Sequence, residues 1–158
     1  MDPKTYLKTK VMTSSPAELR LMLLDGAIKF VQQAIQGVNE SEFESVYEGV
    51  SRSQAILTEL MSSLRPEHDP ELCERLNGLY TYVFNLLVKA NGDMSAQPLE
   101  EALKLLEYER ETWLMLMERT IESNEQSGNI DSVPAAGEQE ERPGKIDGIV
   151  GNRLSVQG

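Results

Sequence analysis

Four stretches of this chain, each about 22 residues long, repeat apolar residues at spacings of three and four. That period belongs to an amphipathic helix and not to a strand, whose side chains alternate every second residue. The first stretch opens at Ser15-Pro16-Ala17-Glu18. This is a capping box with proline at the first helical position: the Ser15 hydroxyl accepts from the Glu18 N–H while the Glu18 carboxylate reaches back. Leu19, Met22, Leu23, Ala27, Ile28, Phe30, Val31, Ala34 and Ile35 follow, and Gly37 and Asn39 mark the end. Gly26 sits mid-helix, where glycine costs about 1 kcal/mol against alanine; a close helix crossing would account for it. The second stretch, Glu42 to Leu64, carries a stripe of Phe43, Val46, Tyr47, Val50, Leu57, Leu60, Met61 and Leu64, interrupted at Ser53-Gln54. Asp69 and Pro70 cap the third, which continues through Leu72, Leu76, Leu79, Tyr80, Val83, Leu87 and Ala90 to about Asn91. The fourth starts near Pro98 and keeps its period through Leu99, Ala102, Leu103, Leu106, Trp113, Leu116 and Met117 to about Ile121.

Helices of this length span roughly 33 Å at 1.5 Å per residue, and the short breaks between them favour antiparallel neighbours. The expected fold is therefore all-α, an antiparallel up-down-up-down four-helix bundle over residues 15–123. Residues 1–14 contain Tyr6, Leu7, Val11 and Met12 but are too short to hold a helix alone; they are expected to lie against the bundle as a lid segment. From Ser123 the composition turns to Gly, Ser, Pro, Asn, Gln and Glu, so residues 124–158 are expected to be a disordered tail. Its end carries Ile146, Ile149, Val150, Leu154 and Val156 among glycines, and a fold-back of this stretch onto the bundle competes with a simple appendage.

Composition and residue inventory exclude most chemistry. A formal net charge of −11 repels phosphate backbones and disfavours nucleic acid as a partner. The single cysteine, Cys73, allows no intrachain disulfide, the N-terminus lacks an apolar signal-peptide core, and no apolar run reaches the ~18 residues of a membrane helix. A cytoplasmic location without membrane insertion is the expectation. His68 is the only histidine, in a turn beside Asp69-Pro70. One histidine cannot serve a di-iron bundle with its two Glu-x-x-His motifs, and Cys73 with His68 falls short of a zinc ligand set. Glu107, Glu109 and Glu111 recur within a helical pattern and read as a solvated face, not as acid/base machinery. No enzyme, metal or cofactor is expected.

The positive signal is surplus apolar area. Tyr82, Phe84 and Leu86 lie off the main stripe of the third helix. They fit either a fully packed core or a groove that receives a partner's amphipathic helix.

Particular residues then suggest a family. Tyr6, the run Val11 to Leu19, and Leu21-Met22-Leu23-Leu24-Asp25-Gly26-Ala27-Ile28-Lys29-Phe30 closely resemble the N-terminal signature of the flagellar chaperone FliS. Ser53 to Leu60 with Ser63-Leu64 resembles its second helix, Leu76, Leu79-Tyr80 and Ala90-Asn91 its third, and Arg110-Glu111-Thr112-Trp113 the end of its fourth. One departure is Leu24, where the family usually has tyrosine. The resemblance implies a cytoplasmic chaperone that binds the disordered C-terminal segment of flagellin along an apolar surface, prevents premature polymerisation and assists type III export, with an export-gate component as a further partner. It implies a displaceable lid at Tyr6, Leu7 and Val11; Gln54, Leu57, Leu79, Tyr82 and Val83 are candidates for the groove floor or rim, with ordinary core packing the alternative for each apolar one. The rival reading is a non-catalytic helical adaptor that pairs with a second copy; a monomer or a weak homodimer fits the chaperone.

Overall fold

The computed structural model describes residues 2–132, all of whose regular elements are helices: α1 (Pro3–Thr13), α2 (Pro16–Asn39), α3 (Phe43–Ser62), α4 (Pro70–Asp93) and α5 (Ala96–Ser132). The chain divides into a unit spanning Met1–Met115 and a second beginning at Leu116. The bundle belongs to the first, to which α5 contributes as far as Met115.

On every bundle helix the buried positions advance by alternating steps of three and four. They are Leu24, Ala27, Val31 and Ala34 on α2; Val46, Val50, Ser53, Leu57 and Leu60 on α3; Tyr80, Val83, Leu87 and Ala90 on α4; and Leu99, Ala102 and Leu106 on α5. Such a stripe stays on one side of a helix, so four of them close around a single core. The result is a four-helix bundle preceded by a short N-terminal helix. Ser53, which interrupts the α3 stripe, is itself fully buried, and its hydroxyl lies 3.4 Å from the Ala27 carbonyl oxygen that accepts from it.

The helix starts follow from their caps. The Glu18 N–H donates to Ser15 Oγ at 3.2 Å and the Ser15 N–H donates to Glu18 Oε1 at 2.9 Å, closing the capping box. The Ser15 N–H first, and then the Ser15 hydroxyl, hold the Glu18 carboxyl below its ordinary value. Asp69 accepts from the Leu72 N–H at 3.2 Å to start α4.

α2 and α3 pack closest where their side chains are smallest. A Cβ on Gly49 would lie 2.6 Å from the Phe30 carbonyl oxygen, and one on Gly37 2.9 Å from Val46 Cγ2. The close crossing expected at Gly26 is therefore centred elsewhere: a Cβ there meets only the flexible end of Ile56, at 3.2 Å. Gly37 is a packing residue inside α2, and the chain turns instead through Ser41 at φ 57°.

Two further helix boundaries differ from expectation. Residues 3–13 do form a helix, because Asp2 caps it by accepting from the Thr5 N–H at 2.8 Å and Pro3 is pre-set for the first turn. α5, expected to end near Ile121, runs on to Ser132, since nothing as helix-breaking as proline interrupts it. The rest of the expected tail, including Ile146 to Val156, lies outside the described residues. Among the described residues no helix is long and apolar enough to cross a membrane.

Candidate functional site

Continuing the three-and-four step outward from the core leads to polar side chains at one end of the bundle. Arg20 lies four residues before Leu24 on α2, and Glu109 three after Leu106 on α5. Both meet Tyr80 of α4. Arg20 Nη2 donates to the Tyr80 hydroxyl at 2.8 Å, and that hydroxyl donates to Glu109 Oε2 at 2.9 Å. Arg20 Nη1 donates to Ser63 Oγ at 2.9 Å, where α3 ends. The guanidinium carbon also lies 5.6 Å from the Tyr80 ring centre and 5.5 Å from that of Trp113, within cation–π range of both. Trp113 Nε1–H donates to the Ala17 carbonyl at 3.0 Å.

Glu109, expected on a solvated face, is thus a correction: it is only 7% exposed. Burial raises its pKa, opposed by the Tyr80 hydroxyl and the Arg20 charge. Burial, followed by the Glu109 charge, pushes the Tyr80 phenol well above its ordinary value, so its proton stays in place.

Over this polar layer opens a cleft of about 820 Å³. α1 lines it with Leu7 and Val11; α2 with Pro16, Ala17, Leu19, Arg20, Met22 and Leu23; α3 and the turn after it with Glu59, Ser63 and Arg65; and α5 with Trp113. The lining is chiefly apolar, so the cleft suits the non-polar face of a peptide better than a polar metabolite. Its α1 wall is weakly held. No α1 residue is buried, and Tyr6, Leu7 and Val11 are 58%, 54% and 42% exposed.

The sequence-derived site residues therefore separate. Leu7 and Val11 line the cleft, and Tyr6 is on the same short helix. Gln54 and Leu79 are half-buried outside the lining. Tyr82 is exposed and its hydroxyl donates to the Glu101 carboxylate. Leu57 and Val83 have no exposed surface and are core residues, because they fall on the buried seams of α3 and α4. Arg20 and Trp113, central to the cleft, were not among those candidates. Arg20 was legible only through its spacing from Leu24.

The family model of the flagellar protein FliS matches residues 2–120. The chain belongs to the FliS family. It is 29% identical to the flagellar secretion chaperone FliS of Bacillus subtilis over 125 residues, 79% of this chain and 92% of that one. It is 31% identical to the FliS of Salmonella typhimurium over 68% of this chain and 80% of that one, and 28% identical to the FliS of Campylobacter jejuni over 76% and 90%. The structure gives the FliS-like motifs a physical role. Asp25 and Arg110, from motifs on α2 and α5, form an ion pair, and Trp113 reaches back to Ala17, so the two motifs clamp one helix to the other. Leu24, the departure from the usual tyrosine, is fully buried and adds apolar volume to the core.

Proposed function

We propose that this FliS-family protein is a flagellar secretion chaperone that takes the C-terminal segment of flagellin into the cleft between α1 and the bundle. The observation that carries this reading is the cleft itself: apolar, open, and walled on one side by a helix with no buried residue. A flagellin segment that folds on binding loses about 2–5 kcal/mol to ordering. Leu19, Met22, Leu23 and Trp113 offer apolar surface against which that loss is recovered. α1 acts as a displaceable lid, since lifting Leu7 and Val11 exposes more of the same surface without opening the core. The half-buried Gln54 and Leu79 and the exposed Tyr82 are proposed contacts for the part of the segment that runs beyond the cleft.

In this role the protein works in the cytoplasm as a monomer or weak homodimer, without a cofactor. It keeps flagellin from polymerising and hands it to the type III export apparatus, where a component of the export gate is a further partner. Co-purification with the cognate flagellin, and with flagellin lacking its C-terminal segment, tests the reading: capture of the first and not the second is expected. Trp113, the only tryptophan, reports on the cleft, so its emission should shift when flagellin binds. A chain that sediments as a stable dimer and ignores flagellin would favour the adaptor reading instead.

A further inference from the structure

We propose that Arg20 is a carboxylate anchor, so that the segment taken into the cleft carries an aspartate or glutamate side chain at the edge of its apolar face. This rests on the chaperone reading and specifies what the guest must bring. Arg20 is half-buried among Tyr80, Trp113 and Ser63 on a largely apolar wall. A guanidinium has five N–H donors; this one gives one to Ser63 and one to Tyr80. Among the described residues the ion pairs are Arg52 with Glu48 and Arg110 with Asp25, so Arg20 has no carboxylate at ion-pair distance. Glu109 reaches it only through the Tyr80 hydroxyl.

A guest helix that covers the cleft strips water from Arg20. The Glu109 charge behind Tyr80 and the two aromatic rings offset part of that loss, but the N–H donors that face the cleft are left without an acceptor under a wholly apolar guest, which is unfavourable. A carboxylate restores the balance and, through the planar fork, does so in one orientation, which fixes the register of the guest along the cleft. Arg65 on the same lip adds positive charge, in a chain whose net charge is −11. Glu59 also lines the cleft, so its excess positive charge is small, and the preference for an acidic guest residue rests on the unused N–H donors of Arg20.

The test uses the full chain and a synthetic peptide of the flagellin C-terminal segment, measured by titration calorimetry. Each acidic residue of the peptide is changed in turn to its amide, and each peptide is titrated into the wild type and into Arg20→Met. One amide change is expected to weaken binding to the wild type by at least about tenfold and to have little effect on Arg20→Met. Amidating the peptide's terminal carboxylate should leave affinity unchanged. Amide changes that are all silent, losses of equal size in both proteins, or a loss only on terminal amidation would each overturn the anchor. The comparison counts only where the parent peptide still binds Arg20→Met measurably and the variant keeps the helical circular dichroism of the wild type, so that misfolding of the variant cannot imitate the expected result. If the parent peptide fails to bind the wild type at all, the chaperone reading falls and the anchor with it; if it binds with no acidic dependence, only the anchor falls.

Discussion

A carboxylate three residues beyond Leu106, on the same face of α5, loses its water when that helix docks. Glu109 is in this position, and the Tyr80 hydroxyl with Arg20 behind it only partly replaces the lost solvent. Its folded-state pKa is therefore raised above the ordinary 4.5. Over the interval between 4.5 and that raised value the folded chain holds more protons than the unfolded chain. Unfolding free energy then decreases as pH rises through the interval. Glu109→Gln removes the titration, so its stability should fall less than that of the wild type across the same interval. Urea unfolding at a series of pH values from 4.5 upward checks this; parallel curves for the two proteins would refute the assignment. The slope is the relevant readout, because the amide also changes the hydrogen bond to Tyr80 and shifts both ends of the curve together.

At the scale of elements, the α2–α3 crossing and the exposed middle of α4 should respond oppositely to one added methyl group. Gly49→Ala places Cβ 2.6 Å from the Phe30 carbonyl oxygen and 3.0 Å from the Ala34 nitrogen, both backbone atoms inside α2. Neither can turn aside as a side chain would, so the helices must separate, at about 1–3 kcal/mol. A Cβ on Gly78 meets nothing within 4 Å, and Gly78→Ala should stabilise α4 by about 0.5–1 kcal/mol through lower backbone entropy. Thermal melts of the two variants should move to opposite sides of the wild type. The helices themselves were legible because their caps and apolar stripes point to the same boundaries: Ser15 with Glu18, and Asp69 with Pro70, start helices where expected. The site was less legible. Residue type put Glu109 on a solvated face and gave no reason to single out Arg20, while their spacing from Leu106 and Leu24 puts both on the seam. Leu57 and Val83 show the converse: their apolar character fits a groove or a core equally, and only packing decides.

At the scale of the whole molecule, every described residue that lines the cleft lies in the unit Met1–Met115, from Leu7 on α1 to Trp113 on α5. The described cleft and the core beneath it are thus built from that unit alone. Truncation after Ser132 should leave the melting temperature and the affinity for the flagellin C-terminal segment at their wild-type values. The reason to measure it is the apolar set Ile146, Ile149, Val150, Leu154 and Val156, which is suited to compete for the same cleft. Competition within one molecule acts at a high effective concentration, so even a weak internal contact would depress guest affinity by a measurable factor. Calorimetric titration of the same peptide into the full and truncated chains separates the cases. Equal affinities make the cleft autonomous, whereas tighter binding to the truncated chain would identify the end of the chain as an internal competitor that flagellin must displace.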